Sequence, residues 1–443
     1  MKTICYNTTR QWNCGDEFIL FGIKRIFDKV LGEHNSIIYN RNPDIRPANG
    51  YDIFYRNEKL PMNYNDYIDI QKSGAMYRYG FHDNSIKFNS DLHYVDLAIF
   101  AGTPEWTNAR CINFYEHIIK NNMPCMILGV GSIPQNIPSY MEDVISKSIL
   151  WTVRDKKYKQ TPLSKKYGAI YLPCPALLSA PTEVEKNITD VKNIALVFGA
   201  NFEHSVRCNC IDDKTYLYHI ELYKKILKQY SQYKFSIICH YIDELDIAYK
   251  LFDKYDVDIL YSYDAKDYIN IYRNFDFVIS PRVHGCGLAS SLGIPNINIS
   301  HDDRGTTCRG FLSEIIDNET QELQFYQTFE KMISEISKRN IQIIQHKNNV
   351  FNEYVNLIKK SMNKLHKITY SNNIDYSSCQ ISNIIYEPHN EIAKKSEIVK
   401  QTSFYKLFLC SFRSLIFNGN FKHLLSFNKF CKYKGIKSYE RKN

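Results

Sequence analysis

The sequence predicts an α/β protein made of two doubly wound, Rossmann-like domains that face a cleft in the GT-B manner, followed by a helical C-terminal extension. Three observations carry that prediction. Short apolar runs alternate with longer amphipathic stretches, the signature of strand-helix repeats on a parallel sheet. The alternation stops at a proline-rich, charged stretch, Pro173 to Asp190, and then restarts. The chain has 443 residues, enough for two or three cores at roughly 100 to 200 residues per domain.

In the first series the predicted strands are Thr3 to Tyr6, Ser36 to Tyr39, Asp96 to Ala101, Cys125 to Val130, Leu150 to Val153 and Ala169 to Leu172. Gly, Pro or Asn bounds most of them. Phe18, Phe21, Gly22 and Ile26 set a helical period from about Glu17 to Val30, with Asp16 as its N-cap. Asn13 to Asp16 therefore sits at a strand-to-helix mouth. Pro173 to Asp190 reads as a linker. The second series is Ile194 to Phe198, Phe235 to His240, Asp258 to Tyr261, Phe275 to Ser280 and Asn296 to Ile299. Beyond Thr320 the chain reads helical through Phe325 to Arg339 and Asn340 to Lys367. The predicted division is residues 1–180, 190–318, a helical extension 319–370, a polar connection 371–399 and a basic amphipathic tail 400–443.

Composition restricts the function. The formal net charge is +9, from 56 Lys and Arg against 47 Asp and Glu. From Lys400 onward stand eight Lys and two Arg against one acid, Glu440, so the tail holds the whole excess and the body is balanced. A nucleic-acid binder built on overall basicity is excluded for the body. Phe404, Phe408, Phe412 and Leu415 recur at helical spacing in the tail, which suits an anionic membrane surface or docking on the body. No run approaches the ~20 apolar residues of a membrane span. Thirteen Cys, an odd number without C-x-x-C pairs, read as reduced thiols, and the N-terminus has no apolar signal core. The expected location is cytoplasmic, with the tail able to hold the protein at the inner face of the membrane.

The most informative segment runs from Phe275 to Ser300. A strand ends at Ser280, Arg282 and His284 follow in a loop, and Gly285 and Gly287 open a small-residue helix through Leu288 to Leu292. Free N–H groups and the helix dipole at such a mouth favour an anion, Arg adds a bidentate fork, and His moves protons near neutral pH. The pattern resembles the polysaccharide pyruvyl transferase family, whose hallmark is a strand, Arg-x-His and a small-residue helix ending in Gly-x-Pro. Three more segments agree in order: Asn13-Cys14-Gly15-Asp16, Phe100 to Thr103 with Gly129-Val130-Gly131 after it, and Trp151 to Asp155 ending in Arg-Asp. The resemblance spans roughly Thr3 to Gly310. The chain departs from the pattern at Ala101, where a glycine is usual; at Pro173-Cys174-Pro175, where Asp-Pro is commoner; and at Arg304, where relatives often carry Lys.

The resemblance implies transfer of a ketal-linked pyruvyl group from phosphoenolpyruvate to two neighbouring hydroxyls of a sugar in a cell-surface polysaccharide or its precursor, whether free, nucleotide-linked or lipid-linked. Arg282 and His284 would bind the donor, with His284 as acid or phosphate partner. Arg154 and Arg304 would add cationic contacts. Asn13, Gly15 and Asp16 would lie across the cleft, Asp16 as base, acceptor ligand or helix cap. No cofactor or metal is demanded beyond phosphoenolpyruvate, and no HExxH motif occurs. His301 is a candidate cleft residue, Glu105-Trp106 a candidate sugar platform, and Cys14 and Cys286 lack an adjacent base to act as nucleophiles. The same architecture serves a nucleotide-sugar glycosyltransferase or a non-catalytic glycan- or membrane-binding scaffold. Donor consumption separates them.

Overall fold

The computed structural model describes residues 2–8, 14–40, 95–104, 106, 112–199, 213–240, 243–262, 265–316 and 322–365. Asn13, Glu105, the connection 371–399 and the basic tail lie outside the described residues.

Continuous apolar runs become strands buried on both faces. The first sheet comprises β1 (Thr3–Thr8), β2 (Asn35–Asn40), β3 (Leu97–Ala101), β4 (Cys125–Val130), β5 (Ser148–Val153) and β6 (Ile170–Tyr171), in the order β2-β1-β3-β4-β5-β6. The second holds β7 (Asn193–Phe198), β8 (Lys234–Cys239), β9 (Asp258–Leu260), β10 (Phe277–Ser280), β11 (Asn296–Ile299) and β12 (Glu314–Ile316), in the order β12-β11-β10-β7-β8-β9. Every pairing among the described residues is parallel. Each order reverses once, between β1 and β3 and between β7 and β10, and in open parallel sheets ligands bind at such switch points.

The helices are α1 (Cys14–Leu31), α2 (Ile112–Lys120), α3 (Ser139–Ser146), α4 (Lys156–Lys159), α5 (Pro162–Lys166), α6 (Asp213–Gln229), α7 (Asp243–Phe252), α8 (Asp267–Arg273), α9 (Val283–Ser291), α10 (Glu322–Ser334) and α11 (Ile336–Leu365). Alternation along the strands sorts side chains between two cores. Ile4, Tyr6, Ile99, Met126 and Leu128 face α1 and join a cluster that runs on through the second domain. Cys5, Ala98, Phe100 and Ile127 face α2 and α3. One apolar core thus crosses the domain boundary.

Four sequence expectations need correction. Helix α1 begins at Cys14, so Asp16 lies within its first turn rather than at its cap; Cys14 and Gly15 are buried and draw the helix back toward β1. The C-terminal helices break at Glu335, not after Arg339. Edge strand β12 was not anticipated: three residues, Glu-Ile-Ile, carry no readable period. The linker does join the two sheets, but its first half is core rather than exposed. Cys174 through Ala180 is buried, with a short 3-10 turn over Pro175–Leu178 packed against α1 and α9. Prolines and charge usually mark exposed loops because a buried loop strands its carbonyls. Here cations from elsewhere satisfy them. Arg25 Nη1 donates to the Leu178 carbonyl at 2.8 Å, and Lys347 Nζ donates to the carbonyls of Ala180 at 2.9 Å and Ser291 at 2.6 Å while pairing with Glu185 at 2.6 Å. Burial lowers the Lys347 pKa to about 8 against the pull of Glu185. Tyr354 Oη donates to the Pro173 carbonyl at 2.9 Å, so α11 fastens the connector along its length.

Gly22 explains how close α1 comes to that connector. A Cβ there would stand 1.9 Å from the Pro175 carbonyl oxygen, a backbone atom that cannot rotate aside. Gly22→Ala is expected to destabilise the protein by about 3 kcal/mol, the upper part of the overpacking range. Urea unfolding checks it; an unchanged midpoint would show that α1 and the connector are not in this contact.

Candidate active site

The carboxyl ends of both sheets meet at one junction. From the first domain come the glycine-bearing turns after β3 and β4 and Arg154 at the end of β5. Gly102 and Gly129 have φ of 99° and 77°, conformations that side-chain-bearing residues rarely adopt. Gly131 lies under the Arg154 guanidinium: a Cβ would stand 2.2 Å from its atoms. The Gly131 N–H donates to Thr103 Oγ1 at 2.8 Å, which ties the two turns together.

From the second domain comes α9. Arg282 is its N-cap residue and His284 its second helical residue, so His284 stands on the first turn of a helix rather than in the loop predicted for it. Gly285 brings that turn against Ser280 Oγ and the Tyr272 hydroxyl, leaving no room for a Cβ without displacement. Tyr272 in turn hydrogen-bonds His240 Nε2 at 2.8 Å.

Arg154 and His284 meet across the junction. Arg154 Nη1 donates to His284 Nε2 at 3.1 Å, which makes Nε2 the acceptor and puts the ring's own hydrogen on Nδ1. Burial, then Arg154, Arg304 and His240, push the His284 pKa well below the ordinary histidine value. The ring is therefore neutral. Arg154 is only 7% exposed, pairs with no carboxylate among the described residues, and has an Nε without any hydrogen-bond partner. Its other neighbour is the Cys174 thiol, at 4.0 Å from Nη1. Where the family pattern more often has Asp, this chain has a thiol whose pKa burial raises, so the guanidinium charge is not cancelled there. The field of Asp16 also reaches Cys174 and adds to the rise.

Arg282 is engaged differently from the substrate fork expected of it. Its Nη2 pairs with Glu244, whose side chain is fully buried, and its Nε donates to the Phe198 carbonyl at 3.1 Å. Glu244 also accepts from the His240 N–H at 2.8 Å, so Arg282 braces the ends of β7, β8 and β10. Arg304 pairs with Asp302 at 2.5 Å. Asp155, beside Arg154, accepts from Lys157 N at 2.9 Å as the cap of α4 and from Thr306 Oγ1 across the junction. Trp106 Nε1 donates to the Ser132 carbonyl at 2.8 Å and the ring is 8% exposed, which makes it part of the loop's packing. Cys14 and Cys286 are both buried free thiols.

Sequence reasoning found Arg154, Asp16, Arg282 and His284, met Gly131 and Cys174 only as members of segments without a role, and gave no sign of Glu244 or His240. Each sits one to five residues beyond a strand's carboxyl end, and that position was the available signal.

Two parallel doubly wound sheets joined at a cationic floor define a GT-B-like protein. One solved structure supports the fold, and others are more distantly similar. S. aureus MnaA bound to UDP has a TM-score of 0.50 at 14% identity, covering 82% of this chain and 97% of that one. The UDP-GlcNAc 2-epimerase of Neisseria meningitidis scores 0.49 at 13% identity over 82% and 100%, and the spinosyn rhamnosyltransferase SpnG 0.43 at 10% over 82% and 100%. No curated protein is significantly similar in sequence. The model of one family, polysaccharide pyruvyl transferase, matches residues 13–303. The chain belongs to that family, which is a family of transferases.

Proposed function

We propose that the protein transfers a pyruvyl group from phosphoenolpyruvate to a pair of sugar hydroxyls, forming a ketal and releasing phosphate. The observation that carries the reading is the buried, uncompensated Arg154 held against neutral His284 at the N-terminus of α9. Arg154 supplies the charge for a small polyanion, and the unpartnered Nε adds a donor. The first step protonates the methylene carbon of the enol, and positive charge develops at C2. One acceptor hydroxyl attacks there and gives up its proton; the second hydroxyl then displaces phosphate as the C–O bond to it breaks. Two C–O bonds form, one breaks, and of the two hydroxyl protons one balances the proton gained by the methyl group and the other leaves with phosphate or solvent.

His284 changes charge within this sequence. An arriving polyanion offsets the fields of Arg154 and Arg304 and raises the pKa of the ring, so donor binding takes up a proton that His284 can deliver. Asp16 serves as the base toward the acceptor. Arg282 and Arg304 hold the rim, and Asn13 and Gly15 belong to the mouth of α1. The basic tail is the proposed tether to an anionic membrane surface, where lipid-linked acceptors are assembled. Among the described residues no helix is long and apolar enough to cross a membrane.

The direct test incubates the protein with phosphoenolpyruvate and a panel of free, nucleotide-linked and lipid-linked sugars. The expected products are inorganic phosphate and a sugar whose mass has increased by one carboxyethylidene group. Release of a nucleoside diphosphate instead would move the protein to nucleotide-sugar transfer.

A further inference from the structure

Away from Arg154 lies a second polar cluster with no role in the scheme above. His219 on α6 is 3% exposed, and neither ring nitrogen has a hydrogen-bond partner among the described residues. His301, just beyond β11, packs edge-on against it with ring centroids 6.1 Å apart. The His301 side chain is 9% exposed, its Nδ1 has no partner, and its Nε2 stands 3.5 Å from Asp302 Oδ2. Three buried imidazole nitrogens thus have no hydrogen-bond partner among the described residues. Buried polar groups in native proteins are ordinarily satisfied, and exceptions call for a reason.

The chemistry of the pair selects a ligand class. Burial lowers His219 to about 3 and His301 to about 4, and Arg304 and Arg282 help hold His301 down despite Asp302. Both rings are neutral, and each presents one N–H and one lone pair. Phosphate or carboxylate brings only acceptors and would set oxygen lone pairs against the ring lone pairs. Among the described residues no group of three or more His, Cys, Asp or Glu is arranged to hold a metal ion. A hydroxyl both donates and accepts, and two neighbouring hydroxyls match two neutral imidazoles. Arg304, which acts on both His301 and His284, links this cluster to the anion site.

We propose that His219 and His301 form a subsite that binds neighbouring hydroxyls of the sugar acceptor. The assignment to the acceptor rests on the pyruvyl-transfer reading; the recognition of hydroxyls does not. The test uses the full chain and His219→Phe, His219→Asn and His301→Gln variants. Saturation-transfer NMR with glucose, galactose, mannose and N-acetylmannosamine reads sugar binding, and a thermal shift with inorganic phosphate reads the anion site. Wild type should bind at least one sugar, His219→Phe and His301→Gln should weaken it about tenfold or more, and His219→Asn, which keeps a donor and an acceptor, should weaken it less. The phosphate shift should stay within twofold. His219→Phe should melt no lower than wild type, because no internal hydrogen bond is lost.

Equal sugar affinity in wild type and variants would overturn the proposal, as would no detectable sugar binding by wild type. Lower melting temperatures with unchanged sugar affinity would also overturn it, in favour of a structural role. Sugar binding lost in the variants of a protein that consumes no phosphoenolpyruvate would keep the subsite and remove pyruvyl transfer.

Discussion

Arg154→Ala is expected to lower kcat/KM for phosphoenolpyruvate by about 10²–10³-fold, the range seen when one preorganised electrostatic contact to the reacting group is removed. Stability should change far less, by about 1 kcal/mol, because the guanidinium makes few bonds that folding depends on: one to His284, one weak contact to the Cys174 thiol, and none at Nε. A large loss of rate without loss of fold is the mark of a group held for the ligand. Arg154→Lys should recover part of the rate, since it keeps the charge without the planar fork. Phosphate release under steady-state conditions measures both variants. Activity within threefold of the parent for Arg154→Ala would remove Arg154 from the donor site. NMR titration of His284 gives an independent reading, because deleting the nearest cation should let its pKa rise.

A second large effect concerns acid. Four histidines, His219, His240, His284 and His301, are held neutral mainly by burial, with folded-state pKa values of about 3 for His219, about 4 for His301 and well below the ordinary value for the other two. In the unfolded chain each titrates near 6.5, so between that pH and the folded values the unfolded state binds more protons. Stability is then complete above about pH 6.5 and is lost as pH falls. With four such groups the unfolding free energy should drop by up to about 5 kcal/mol per pH unit below pH 6. Carboxylates contribute little until about pH 4.5, which leaves the window to the histidines. Urea unfolding at pH 7.5, 6.5, 5.5 and 5.0 checks the slope, and His219→Phe should reduce it by about a quarter. A stability flat from pH 7 to 5 would mean that these rings accept protons in place. Because an anion in the site raises the His284 value, phosphate should soften the decline.

These expectations depend on features of unequal visibility in the sequence. Strands β1, β3, β4, β7, β8, β10 and β11 were readable because each is buried on both faces and so forms a continuous apolar run, as in Leu97–Ala101 or Cys125–Val130. The motif residues Arg154 and His284 were readable as parts of segments. Their contact was not, because it joins positions 130 residues apart. Glu244 looked like any acid on an amphipathic helix until its partner, Arg282, was seen beside it. His219 carried no local signal, since its meaning lies in what its ring nitrogens lack. The connector misled for a related reason. Its prolines predict exposure, and the lysine that permits burial arrives 167 residues after the carbonyl of Ala180 that it caps.

That last separation bears on how the chain is made. Arg25, the connector and Lys347 belong to the beginning, middle and end of the described sequence, yet they close one seam. A growing chain leaves the ribosome with both sheets encoded before α11 exists. Until α11 emerges, the carbonyls at Ala180 and Ser291 lack their ammonium and Pro173 lacks its tyrosine hydroxyl. The junction that carries Arg154 and His284 is thus completed only by the last-made described helix, so a truncated chain lacks the seam on which the site's geometry rests.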